Sequence, residues 1–256
     1  MNHKYWSSAL VLLALTACRA PLAISGVQTQ KNISITDALT PDADYMAVIA
    51  PYKKDLDSKM NTRLSFTSVD LNKQGDNSNL GNLLADFTLQ GAAEWANSNG
   101  RPPVDAAVIN IGGIRTSIGK GDILTRHIYE VMPFENEVVI MKLDGKRMAD
   151  LFEFYRKYQK NNPVSGLFIE TDGSKLISSR INGELFDKNR TYYIATSDYL
   201  AGGGDNMQFF AGAELIPTGI KMRDLFIEKF RATPQVVAPK DLRLQFKNKS
   251  NGTQNE

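Results

Sequence analysis

The stretch 104–123, VDAAVINIGGIRTSIGKGDI, constrains the chain most, because an apolar strand pattern at Val104 to Ile109 runs straight into Asn110, a Gly pair and Arg115. A strand that ends on Gly112 and Gly113 lets backbone approach a ligand closely, and Arg115 sets a planar cationic fork at its mouth. Taken alone the segment favours a plain turn with a solvated Arg, since that is what most Gly pairs after strands make. Read for chemistry, it is an anion-binding corner.

The rest of the pattern alternates helices and strands. Helical spacing over 42–61 is interrupted near its middle by Pro51, a strand follows at 63–69, and a long helix with a buried face spans 80–96. Strands are expected at 104–110 and 137–143, a helix at 146–158, and then a meander of 166–171, 175–182 and 190–196 whose turns carry Asp172-Gly173 and Asn182-Gly183. A last helix at 220–232 and a closing strand at 241–246 complete the order. This alternation predicts an α/β fold of the mixed, α+β kind: a mixed β-sheet flanked by helices, without internal repeats. Phe152, Phe154, Phe226 and Phe230 sit inside periodic segments and are assigned to the core.

Two further corners stand outside that periodicity. Pro133, Phe134, Glu135 and Asn136 form a polar-aromatic knuckle before a strand, and Tyr199 precedes Gly202, Gly203, Gly204 and Asp205. Together with NLGNLLAD at Asn79 to Asp86 and the GGIR corner, they make an ordered set of four motifs over roughly 40–247. This set resembles the C-terminal, substrate-binding domain of the 5′-nucleotidase family.

The resemblance implies roles residue by residue. Asn110 and Arg115 become phosphate and ribose contacts, with Gly112 and Gly113 admitting close backbone; Phe134 and Tyr199 become the two rings that sandwich a base. Asn136 matches a base-contacting amide and Asp205 a ribose-hydroxyl acceptor. Two opposed rings offer a π-face to any nucleobase, and a carboxylate, which only accepts, suits vicinal sugar hydroxyls. Two departures from the family pattern bear on the ligand. Lys73 is the only cation just before NLGNL, where relatives carry Arg, and Glu135 adds a negative charge beside the base site.

Full-length relatives carry a two-metal phosphoesterase domain, which needs His and carboxylate clusters to hold its ions. Of the two His here, His3 lies in a targeting segment and His127, in TRHIYEVMP, takes a polar surface or capping role; no spacing of ligand residues suggests a metal site. The resemblance therefore implies a nucleotide-binding half with no catalytic residue and no cofactor of its own, completed by a separate metallophosphoesterase chain that carries two divalent metal ions. A non-catalytic nucleotide-binding lipoprotein is the other reading.

The N-terminus points to location. Asn2, His3 and Lys4 form a basic start, Ala9 to Ala17 is an apolar run too short to span a bilayer, and Leu15-Thr16-Ala17-Cys18 looks like a bacterial lipobox. Cys18 is the single cysteine, so it is the expected site of lipidation and anchors the chain in the bacterial cell envelope. The organisation expected is a signal at 1–17, a tether at 18–40, one domain at 41–247 and a polar tail at 248–256. A net charge of +2 with both signs interspersed gives no basic face for a nucleic-acid polymer.

Overall fold

A computed structural model of the chain describes residue 24 and residues 26–249; Cys18 and the signal segment expected at 1–17 lie outside the described residues. The chain divides into two units, one up to Ile49 and one from Ala50 onward. In the first, residues 26–42 are exposed and contain neither helix nor strand. Helix α1, Ala43–Met60, starts where the Asp42 carboxylate accepts the N–H groups of Asp44 and Tyr45 at 3.0 and 3.1 Å. Contrary to the expected interruption, α1 runs through Pro51. Proline costs the helix one N–H donor, a loss that water tolerates because every side chain of α1 is outside the core.

The second unit has a five-stranded mixed sheet as its middle layer. Its strands are β2 (Ala106–Val108), β4 (Glu137–Leu143), β5 (Val164–Ser165), β9 (Tyr192–Ser197) and β10 (Glu214–Lys221), in the order β10-β4-β9-β2-β5. Side chains alternate across it: Val138 and Ile140 of β4 enter one core, while Val139, Met141 and Leu143 enter the other. The first core is closed by α2 (Asn79–Ser98), α3 (Thr125–Val131) and α6 (Met222–Ala232), together with the strand pair β1 (Arg63–Thr67) and β3 (Gly121–Leu124). The second is closed by α4 (Gly145–Tyr158) and by a four-stranded sheet of β6 (Leu167–Asp172), β7 (Lys175–Ile181), β8 (Glu184–Leu185) and β11 (Leu244–Lys247). Phe152, Phe154, Phe226 and Phe230 lie in these cores, as their periodic spacing requires.

Two further expectations need correction. The meander stops after its second strand: β6 pairs with β7, but β9 leaves that sheet and inserts between β4 and β2. The reason is burial. YYIATS is covered on both faces and suits a central strand, whereas β7 exposes much of its length and is closed off by the short β8 across the Asn182-Gly183 turn, both residues at positive φ. The expected helix at 220 begins at Met222, because 214–221 form β10. Pro217 and Gly219 disfavour a strand interior, but β10 is an edge strand with a register shift between Pro217 and Ile220, where a missing N–H is tolerated. Among the described residues the strands form three sheets, within the mixed, helix-flanked architecture that the sequence predicts.

Candidate functional site

Strand polarity decides where the corners meet. β9 and β2 are parallel, so the exits after Val108 and Ser197 lie at one end of the sheet. β4 is antiparallel to β9, with Val138 opposite Ser197, so the entry to β4 lies at that same end. Asn110, Phe134, Asn136 and Tyr199 therefore converge from three distant parts of the sequence. They line a cavity of about 370 Å³ with Gly112, Gly113, Arg115 and Asp205, so all eight residues proposed from the sequence share one cavity. That volume is within the range of small-molecule sites.

The first wall is a 3₁₀ turn, Ile111–Gly113, following Asn110. Its start is pinned by the Ile111 N–H, which donates to Asn162 Oδ1 at 3.0 Å, and its exit by the Arg115 N–H, which donates to Val131 O at 2.9 Å. A Cβ on residue 113 would lie 2.9 Å from Asn110 Oδ1, so glycine lets the Asn110 amide fold over the turn. Arg115 donates to Gly112 O at 3.0 Å and holds its guanidinium 6.0 Å from the centre of the Phe134 ring, leaving its remaining donors for an anion. Lys73 is not part of this wall. Its ammonium donates to Ile114 O at 2.8 Å and props the turn from outside.

The second wall is the Pro133 to Asn136 knuckle, and its supports went unread in the sequence. The Met222 N–H donates to Asn136 O at 2.9 Å, Lys221 donates to Glu135 O at 3.2 Å and to Glu137 Oε1 at 2.9 Å, and Arg223 donates to Pro133 O at 3.2 Å. Arg223 also pairs with the Glu135 carboxylate and lies 4.4 Å from the centre of the Tyr129 ring. Glu135 is therefore turned to Arg223 and does not line the cavity, so the negative charge that it adds to this knuckle is paired there. Pairing of 137 with 221 across β4 and β10 is the signal that could have found these residues, but it needs the strand that proline hid.

The third wall follows β9. Ser197 caps the short helix α5, Asp198–Ala201, by accepting the Leu200 N–H, and the chain then turns through Gly203 and Asp205, both at positive φ. The Tyr199 hydroxyl donates to Asp205 Oδ1 at 2.8 Å, and that hydrogen bond pushes the phenol above its usual pKa. Phe134 and Tyr199 are 42% and 47% exposed, whereas Phe226 and Phe230 are at 0%, so the two cavity rings present faces that the core does not use.

The remaining motif residues are structural. Asn79 accepts the Asn72 N–H and donates to Asp70 O, and Asp86 binds Arg243 through two bonds of 2.8 Å. His127 caps α3: its Nδ1 accepts the Leu124 N–H at 3.1 Å, and burial lowers its pKa, which favours that neutral acceptor.

A family model for the 5′-nucleotidase C-terminal domain matches residues 56–212. The chain is 27% identical over 242 residues to the trifunctional nucleotide phosphoesterase protein YfkN of Bacillus subtilis, covering 84% of this chain and 16% of that protein. It is 27% identical over 188 residues to protein UshA of Escherichia coli, covering 68% of this chain and 32% of UshA. The crystal structure of a 5′-nucleotidase precursor from Thermus thermophilus superposes with a TM-score of 0.67 at 28% identity, over 80% of this chain and 44% of that one. The chain thus spans less than half the length of each of these relatives.

Proposed function

We propose that this chain, which belongs to the 5′-nucleotidase C-terminal domain family, holds a nucleotide in the cavity at the sheet end and serves as the substrate-binding half of a phosphoester hydrolase. The single observation that carries this reading is the convergence of two exposed rings, one guanidinium with donors to spare and one carboxylate on a cavity of about 370 Å³. The base lies between Phe134 and Tyr199, Asn136 meets its edge, Asp205 accepts from the sugar and Arg115 takes the phosphate. Asn110 and the Gly112-Gly113 backbone complete the anion end.

The cavity does not fit a pair of metal ions, because its lining offers one carboxylate beside a cation and no imidazole. In this reading the two divalent ions belong to a separate metallophosphoesterase chain, where they would supply the attacking hydroxide and polarise the phosphoryl group. This chain's own residues bind and orient. Lipidation of Cys18 would hold the pair in the cell envelope. Among the described residues no helix is long and apolar enough to cross a membrane.

A phosphate-release assay with adenosine monophosphate and divalent metal tests the division of labour. The chain alone is expected to show no metal-dependent release, and addition of the metallophosphoesterase chain is expected to give release faster than that chain achieves unaided. Chelator-sensitive turnover by the purified chain alone would refute the split. A true partner whose rate is unaffected would favour a binding protein without catalysis.

A further inference from the structure

We infer that the Tyr199 hydroxyl is a positioning group that sets sugar selectivity by fixing the Asp205 carboxylate; this rests on the nucleotide reading of the cavity. The hydroxyl holds Asp205 from two sides. It donates to Oδ1 at 2.8 Å and accepts the Asp205 backbone N–H at 3.3 Å. Asp205 needs holding, because it has φ 51° and Asn206 has φ 64°, a left-handed pair outside glycine's usual role, and Asp205 is exposed. The ring itself is seated on backbone: a Cβ on residue 204 would lie 2.5 Å from its Cζ, so Gly204 gives Tyr199 a flat floor.

The consequence is a division within one side chain. The ring serves the base, while the hydroxyl occupies one carboxylate oxygen and leaves Oδ2 for the ligand. An ionised carboxylate has about four acceptor positions, so one bond to Tyr199 still allows two sugar hydroxyls to donate to it. A phenylalanine at 199 would keep the ring and free the carboxylate to swing into water.

The test is the ratio of affinities for adenosine and 2′,3′-dideoxyadenosine, measured by calorimetry on the full chain. Bonds to a charged acceptor lead us to expect wild type to favour adenosine by about tenfold or more. Tyr199→Phe is expected to bring that ratio close to one, as is Asp205→Asn, and the double variant is expected to fall no further. An unchanged ratio in Tyr199→Phe overturns the inference. So does loss of the ratio in Tyr199→Phe with retention in Asp205→Asn, which would mean that the phenol meets the sugar directly. Failure of wild type to bind either nucleoside would instead overturn the nucleotide reading, and this inference with it.

Discussion

Replacing Arg243 with Met is expected to lower the free energy of unfolding by about 3–5 kcal/mol, the cost of breaking a buried pair from one side. Its side chain is 10% exposed, and its fork meets both Asp86 oxygens at 2.8 Å while also donating to Asn82 O at 3.1 Å and Val164 O at 2.8 Å. Asp86 accepts the Ser165 hydroxyl at 2.6 Å as well, so one guanidinium joins α2, β5 and the approach to β11. Removing it takes from Asp86 its cationic partner and from two carbonyl groups one donor each. Arg243→Lys should recover only part of the loss, because an ammonium cannot reproduce the fork. Arg243→Met combined with Asp86→Asn should lose less than the two separate losses summed.

Asp241, on the solvent side, contributes less. Hydrogen bonds from Arg243 hold its carboxyl below the usual 3.8. A lowered folded value means that this contribution is complete above the unfolded value and disappears as pH falls through the folded one, so the gap between wild type and variant narrows below about pH 4. Urea denaturation at neutral and acid pH measures both effects. A loss under about 1 kcal/mol at neutral pH would class the pair with ordinary surface ion pairs.

Removing both cavity rings is the second large effect. Phe134→Ala and Tyr199→Ala are each expected to weaken nucleoside binding by about 1–3 kcal/mol, and together by about 2–6 kcal/mol, from base stacking. Fold stability should change little, since both rings are more than 40% exposed. Phe226→Ala, in the core, should instead cost about 3–5 kcal/mol of stability. Calorimetric titration beside thermal denaturation separates the two behaviours. A ring variant that unfolds readily while its folded fraction binds normally would assign that ring to the core.

What could be read in the sequence was local. The strand at 137–143 and the helix ending at Tyr158 follow from their own periodicity, and the three Gly- and Pro-marked corners stood out because they broke it. The cavity was legible because these corners, in their order, resemble the 5′-nucleotidase C-terminal domain; the break in periodicity alone marked only turns. Partners across long separations were not. Nothing in the spacing between Asp86 and Arg243, or between Glu135 and Arg223, reveals a pair until strand order brings them together. The departure of β9 from its expected meander and the strand concealed by Pro217 have the same origin, since pairing is decided by burial on both faces and by edge position.

The most direct test of the proposed nucleotide site is calorimetric titration of wild type and Arg115→Ala with adenosine and adenosine monophosphate. Arg115 presents a fork that can make two charge-assisted bonds to phosphate oxygens, each worth about 1.5–3 kcal/mol, and Lys73 is engaged elsewhere. Wild type should bind both ligands, with the monophosphate tighter, and Arg115→Ala should lose affinity for the monophosphate selectively. Equal losses for both ligands, or no binding by wild type, would contradict the assignment.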